Sequence, residues 1–200
     1  MLKKTAITQV SINEILANRW SGRAYDALKP VTYEQKLALL EAARWAPSCS
    51  GDQPWRFIVW DKNKDFASWQ RAFDCLVIGN QAWAKDAPLL ILTIANSLFN
   101  HNGKQNRFAQ YDTGAAAENL CLQATDLGLM AHQMGGFDAD KARLAFNIPE
   151  QYNLMAMLTV GYAAEIAGLA GEILERETAQ RGRRALGELF FEADWSKPFI

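Results

Sequence analysis

The distribution of apolar residues along the chain divides it into short strands and amphipathic helices. Runs rich in β-branched and aromatic residues predict strands at 56–60 and 89–95. Apolar runs at 130–135 and 154–161 predict two more. Because helices precede the first strand and interrupt the others, the order of elements predicts an α+β layered domain and not a strict βαβ repeat.

Capping signals place the predicted helices. Ser11 and Glu14 have capping-box spacing and predict a short helix that ends near Arg19. Thr32 begins a similar pattern, with a helix that ends near Pro47. Further helices are predicted at 66–77, 112–127 and 138–146, and from residue 172 onward.

Two segments have apolar residues that suggest close packing against another helix or a partner. The helix predicted at 112–127, capped by Asp112 and Gly128, carries a stripe of small apolar residues that lets another helix come close. The tail at 172–200 ends in aromatic residues that would be poorly placed in water. We therefore expect a single domain over residues 1–200, with the helix at 112–127 either central or at a dimer interface and the tail at 172–200 wrapped on a partner.

Composition and charge exclude several classes of protein. The chain has 200 residues, and 21 Lys and Arg nearly cancel 22 Asp and Glu, so a nucleic-acid partner is not expected. The apolar run at 87–95 contains a proline and has about half of the roughly 20 residues that a membrane helix needs. Lys3 and Lys4 are not followed by the apolar stretch of a secretion signal, so we expect a cytoplasmic protein without a membrane partner.

Metal, disulfide and common hydrolase chemistries also lack support. The 3 cysteines are widely spaced and only 2 histidines occur, which predicts free thiols and no metal site. The glycine-rich nucleotide motifs and the serine-hydrolase and zinc-protease motifs are missing. Any phosphate group must therefore be bound by side chains.

Three arginine-bearing segments, at 19–23, 53–57 and 181–184, are the candidates for such binding. Arginine suits phosphate because its planar group donates paired hydrogen bonds and stays charged. Arg19, Ser21 and Arg23 alternate, so in an extended turn they point to one side. The first segment alone is better explained by a solvated turn and the last by a helix end; together the three indicate a phosphorylated cofactor or substrate.

The motifs that follow one another along the chain resemble those of the nitroreductase family of FMN-dependent, NAD(P)H-using oxidoreductases. The similarity runs from about residue 11 to 195. Its motifs are Arg-x-Ser-x-Arg, Ala-Pro-Ser with Gln-Pro-Trp, Asn80 with Trp83 and Ala87-Pro88, Met134-Gly135-Gly136-Phe137-Asp138, Val160-Gly161-Tyr162 and Arg-x-Arg-Arg. The resemblance implies a three-layer α/β/α sandwich with a central mixed sheet, assembled as an intertwined homodimer.

The resemblance also implies roles for individual residues at an FMN site. Arg19, Ser21, Arg181 and Arg183 would surround the phosphate, and Arg23 would lie nearer the pyrimidine edge of the ring. Asn80 would hydrogen-bond the ring, and Trp83 would cover the flavin pocket, which its position in the family favours over a place in the core. The partner subunit would contribute Pro47, Ser48, Cys49 and Gly51, while the backbone of Gln133, Met134, Gly135 and Gly136 would lie along the face and N5 edge of the flavin.

The implied function is hydride transfer from NADH or NADPH, through flavin N5, to a nitroaromatic, quinone or similar small-molecule acceptor by a ping-pong cycle. No residue is predicted to act as a general acid or base, because the cofactor supplies the chemistry. Gly51 and Gly135 depart from residues common in the family, and Ala185 replaces a common proline. A non-catalytic flavin-binding or storage protein and a narrow-specificity FMN dehydrogenase are the alternatives.

Overall fold

The computed structural model describes residues 4–200, so residues 1–3 of the predicted domain lie outside the described residues. Helices cover both faces of one sheet. The helices are α1 (Glu14–Asn18), α2 (Tyr33–Arg44), α3 (Phe66–Phe73), α4 (Ile78–Ala84), α5 (Ala109–Asp126), α6 (Ala139–Ala145) and α7 (Gly171–Thr178). The strands are β1 (Trp55–Asp61), β2 (Leu89–Asn96), β3 (Met130–Met134) and β4 (Tyr152–Gly161).

The sheet has the strand order β1-β2-β4-β3. Its three strand pairings are all antiparallel. The predicted α+β class is confirmed, but the predicted mixed sheet is corrected to an antiparallel one for residues 4–200. A mixed sheet would need at least one strand that runs parallel to its neighbour, and the described residues add no such strand to this sheet.

Two hydrophobic cores lie on opposite faces of β2. Leu90, Leu92 and Ile94 face a core that also contains Trp60 and Trp69. Leu89 and Ile91 face the other core, which includes residues of α2 and α5. Because successive strand residues point to opposite faces, a strand covered on both faces is apolar at most positions, and in β2 Thr93 and Asn96 are the buried polar exceptions. The predicted three-layer arrangement is confirmed.

The helix caps agree only in part with the predictions. Thr32 caps α2 in a complete capping box with Gln35, as predicted. At α1 the cap is Asn13 instead of Ser11, because the Asn13 side chain accepts from the Ile15 amide at 2.9 Å. Helix α5 begins at Ala109, before the predicted cap Asp112. The carboxylate of that residue accepts from a residue outside the helix, as described below.

The helix predicted at 66–77 ends at Phe73, and a second helix that the sequence did not predict, α4, begins at Ile78. Residues 75–77 leave the helical path because they hydrogen-bond residues 136–138. The Val77 amide donates to Gly136 at 3.1 Å and the Asp138 amide donates to Cys75 at 2.7 Å. This long-range pairing positions α4, and with it Asn80, beside the loop that follows β3.

The tail after α7 folds back on itself more than the sequence predicts. Phe191 and Pro198 form an antiparallel bridge, and the Phe199 amide donates to Phe190 at 3.0 Å. Its large apolar side chains remain exposed, with Trp195 at 86%. In residues 4–200, the helices are too short or too polar for any of them to cross a membrane.

Candidate functional site

The segment after α1 forms a turn that opens on a cationic cavity of about 390 Å³. We call residues 19–23 the arginine turn. Arg19 ends α1, and its side chain donates to the Ser21 hydroxyl at 3.3 Å. The structure therefore brings the first and last predicted arginine segments together. The cavity is lined by Lys4, Arg19, Trp20, Ser21, Arg23, Arg176, Glu177, Ala179, Arg181 and Arg183.

Arg181 is largely used by the fold. Its guanidinium donates to three backbone carbonyls: Lys4 at 2.5 Å, Ala17 at 2.8 Å and Arg19 at 3.0 Å. Burial lowers the pKa of Arg181, and the nearby positive charges of Arg19 and Arg183 lower it further. Arg183 is exposed and donates to Gly182. Arg181 thus secures the arginine turn, and Arg183 is the more accessible of the two cations.

Arg23 connects the arginine turn to the aromatic part of the core. Its guanidinium lies 5.7 Å from the centre of the Trp83 ring. Trp83 is only 6% exposed and packs against His132, with ring centroids 4.6 Å apart. The structure therefore places Trp83 in the core, with Arg23 stacked against it.

A carboxylate on α5 connects the end of β3 to the arginine turn. Gln133 donates to Glu118 at 3.3 Å, and Glu118 lies 3.5 Å from the guanidinium of Arg19. Burial raises the pKa of Glu118, against the lowering effect of Arg19. Met134 is buried in the core, so its side chain is not available to a ligand. Residues from three elements thus converge at one edge of the sheet.

Gly135 and Gly136 differ in their surroundings. A Cβ atom built on Gly135 meets nothing within 4 Å, whereas one built on Gly136 lies 2.8 Å from the Asn80 amide nitrogen and 2.9 Å from Val77. Asn80 also donates to the Gly136 carbonyl at 2.9 Å. Gly136 is therefore required by α4, a protein neighbour that the sequence prediction did not consider. The space beside Gly135 remains open to a ligand.

Residues 47–51 form a separate group at the start of α5. The Cys49 amide donates to the Asp112 carboxylate at 3.0 Å, and Ser48 accepts from the Gln53 amide at 3.0 Å. Pro47 and Gly51 are exposed, and Gly51 has a positive φ of 65°. Asp112 and Glu118 are six residues apart on α5, roughly 9 Å along its axis. None of these four predicted residues lines the cationic cavity of the same chain.

Four residues near the arginine turn were missed by sequence reasoning: Gly22, Glu118, His132 and Glu177. The His132 ring donates from Nδ1 to the Gly22 carbonyl at 3.0 Å. Because a carbonyl oxygen can only accept, Nδ1 carries the proton. A Cβ on Gly22 would lie 2.0 Å from the Met130 sulfur. Only Gly22 has a local signal, its position inside the motif; the other three act across long stretches of sequence.

Comparison with known proteins identifies the class of this fold and site. The model of the nitroreductase family matches residues 16–162. The chain therefore belongs to the nitroreductase family, as its motifs predicted. Relatives that align over 81% and 92% of this chain carry NAD(P)H nitroreductase in their names, and the protein is accordingly an oxidoreductase.

Solved structures and a further relative give the extent of the similarity. A crystal structure of an oxidoreductase containing FMN has a TM-score of 0.89 and 31% identity, over 98% of this chain and 99% of the other. An FMN-dependent nitroreductase from Clostridium difficile R20291 has a TM-score of 0.64 and 26% identity, over 85% and 98%. The major NAD(P)H-flavin oxidoreductase of Aliivibrio fischeri is 46% identical over 44 residues, which are 22% of this chain and 20% of that protein.

Proposed function

We propose that this protein is an FMN-dependent oxidoreductase that takes a hydride from NADH or NADPH and delivers it to a small electron-poor acceptor, such as a nitroaromatic or a quinone. The observation that carries the proposal is the crowding of guanidinium groups from Arg19, Arg23, Arg181 and Arg183 around one cavity. Like charges brought together disfavour one another unless an anion lies between them. A phosphate group supplies such an anion.

The cavity fits a phosphate monoester in its donor chemistry. Arg19, Arg183 and the Ser21 hydroxyl offer charged and neutral donors to the cavity. Arg181 contributes mainly positive charge, because three backbone carbonyls accept from its guanidinium. We infer that Arg19, Ser21, Arg181 and Arg183 form the phosphate subsite, with Arg181 in the supporting role.

The residues between the cavity and α4 suit a flat ring system. Arg23 is placed to stabilise negative charge at the pyrimidine edge of a flavin. Gly135 leaves its surroundings free of side chains, and Asn80 is fixed at the same loop through Gly136. When bound, FMN supplies reversible hydride transfer at its N5 atom. The side chains of this chain bind and orient the ring, and we assign no catalytic acid or base to them.

The acceptor and the nicotinamide are proposed to occupy the same face of the site in turn, in a ping-pong cycle. Binding both reactants against one ring fixes their distance and orientation, which accounts for acceleration without a reacting side chain. The choice between NADH and NADPH follows from the experiment below.

We further infer a homodimer in which Pro47, Ser48, Cys49 and Gly51 approach the flavin of the partner subunit. Two observations support this inference. These residues lie apart from the cationic cavity within one chain, and large apolar side chains are exposed on α5 and the tail, including Tyr111, Phe190 and Trp195. Exposed apolar surface of this kind favours burial in an interface, and the tail at 172–200 is proposed to wrap on the partner.

The visible spectrum of the purified protein, loaded with FMN and then mixed without oxygen with NADH or NADPH, tests the function. Flavin bands near one FMN per chain that bleach rapidly support the oxidoreductase, and the faster donor identifies the nicotinamide. A flavin that neither donor reduces would replace the proposal with a binding or storage protein. Rapid reduction of the flavin, followed by turnover with only one acceptor among those tested, would favour the narrow-specificity FMN dehydrogenase.

The dimer has its own test. Light scattering during size-exclusion chromatography should give twice the chain mass of 22.4 kDa. Deletion of residues 185–200 should shift the chain toward the monomer and weaken FMN binding. A truncated chain that keeps both properties would argue against the tail as part of the interface.

A further inference from the structure

A buried carboxylate lies inside the cationic cavity and has no part in the chemistry described so far. Glu177, on α7, is 4% exposed. Its Oε1 atom accepts from the Arg23 backbone amide at 2.7 Å, and the Ala24 amide also donates to this carboxylate. Burial raises the pKa of Glu177, although these amides and the charge of Lys4 oppose the rise. A carboxylate repels a phosphate, so its presence here needs a structural reason.

The reason lies in the backbone of the arginine turn. The Gly22 carbonyl accepts from His132, while the next two backbone amides donate to Glu177. The turn is thereby held from the sheet on one side and from α7 on the other. Buried backbone N–H groups without an acceptor are costly, so loss of the carboxylate would require this backbone to move.

Glu177 also connects the two parts of the phosphate subsite, which are the arginine turn and the arginines at 181 and 183. It precedes Arg181 by four residues and Arg183 by six, so one segment supplies both the anchor of the arginine turn and two of its cations. This segment lies beyond residues 16–162, the part of the chain that matches the family model. The contact from Glu177 to Arg23 spans 154 residues of sequence.

We propose that Glu177 is a positioning residue that sets the affinity for the phosphate group of FMN, by accepting the Arg23 and Ala24 amides and so fixing the directions of Arg19, Ser21 and Arg23. This proposal rests on the proposed FMN function. It predicts that Glu177 affects FMN far more than riboflavin, which has the same ring and lacks the phosphate.

The experiment compares E177A and E177Q with the matched control E175Q, which changes an exposed carboxylate on the same helix. Dissociation constants for FMN and riboflavin are measured by flavin fluorescence on the FMN-free proteins, with melting curves to establish that each variant is folded. E177A should weaken FMN binding by about tenfold or more, since two hydrogen bonds to a charged acceptor are lost. Riboflavin binding should change by less than about threefold, because Arg23 is the one residue of the proposed ring subsite whose position depends on Glu177, and Asn80 and Gly135 are unaffected.

The conservative variants complete the test. E177Q should lie between wild type and E177A, because the glutamine oxygen still accepts from a backbone amide; E175Q should match wild type. If E177A does not fold, E177Q decides by whether it loses FMN affinity selectively. Equal losses for FMN and riboflavin, or no loss for either, would overturn the positioning role while the proposed function stands. Wild-type protein that binds no FMN would overturn both.

Discussion

Replacement of Gly161 by alanine tests the packing of two motifs that are far apart in sequence. Gly161 ends β4, and a Cβ atom there would lie 2.5 Å from Pro88 Cδ, 2.9 Å from Pro88 Cγ and 3.0 Å from Tyr25 Cδ1. The proline ring is rigid. Tyr25 is buried, and its hydroxyl lies 2.7 Å from the Thr159 hydroxyl. Neither neighbour can move without disturbing the core, so G161A should destabilise the fold.

The size of the effect follows from the cost of overpacking. Inserting a methyl group into a filled site costs about 1–3 kcal/mol. For a chain of this length each kcal/mol lowers the melting temperature by about 2–4 °C, so the fall should be about 2–12 °C. Urea unfolding of the FMN-free protein measures the free energy directly. The control G79A meets nothing within 4 Å and lies in α4, so it should be neutral or stabilising by up to about 1 kcal/mol.

A second substitution identifies the atoms responsible. P88A removes the Cδ and Cγ atoms that the new methyl group would meet, so the G161A and P88A effects should be non-additive by about 0.5 kcal/mol or more. The steric explanation is refuted if G161A and the wild-type protein have the same melting temperature, or if the destabilising effects of G161A and P88A simply add.

Three further predictions concern a cap, the thiols and a buried histidine. T32A should lower the unfolding free energy by about 1 kcal/mol, because the Thr32 hydroxyl accepts from the Gln35 amide at 3.2 Å. T32S keeps a hydroxyl and should retain most of this stability. Equal urea midpoints for the wild-type protein, T32A and T32S would contradict a stabilising role for the cap. A thiol reagent at pH 8 should label Cys49 first and all three cysteines only in denaturant, since burial raises the pKa of Cys121 to about 12 and also raises that of Cys75; early labelling of Cys121, read by mass spectrometry, would be inconsistent with this core. Burial lowers the pKa of His132, so the contribution of this residue to stability is present above the unfolded pKa of about 6.5 and is lost as the pH falls through the lower folded value. The free energy of unfolding should therefore fall less between pH 7.5 and 5 in H132N than in the wild-type protein. Equal falls in the two proteins, measured by urea unfolding at each pH, would count against this prediction.

The fold was predicted best where the sequence signal is local. β2 and β4 occupy nearly the predicted ranges, because their apolar runs are bounded by clear breaks. The early end of α3 and the presence of α4 were missed, because they depend on hydrogen bonds from residues 75–77 to residues 136–138. The start of α5 was misplaced for a related reason: the Asp112 carboxylate accepts from Cys49, so it does not cap its own helix.

The candidate site shows the same limit. Arg19, Ser21 and Arg23 were found because their alternation is visible within five residues, and the structure places all three at one cavity. His132 and Glu177 gave no signal, since their hydrogen bonds to the turn span 110 and 154 residues. The sequence therefore indicated the charged donors of the site, but not the residues that hold their backbone in place.

The distance in sequence between the arginine turn and its anchors has a consequence for biosynthesis. Arg19, Ser21 and Arg23 leave the ribosome long before Glu177 and Arg181, since at least 154 residues separate Arg23 from these two. The hydrogen bonds from Arg23 to Glu177 and from Arg181 to Arg19 form only after Glu177 and Arg181 have left the ribosome. The cationic cavity is therefore completed only once the segment with Glu177, Arg181 and Arg183 has been synthesised, and a nascent chain stalled before Glu177 lacks this pocket.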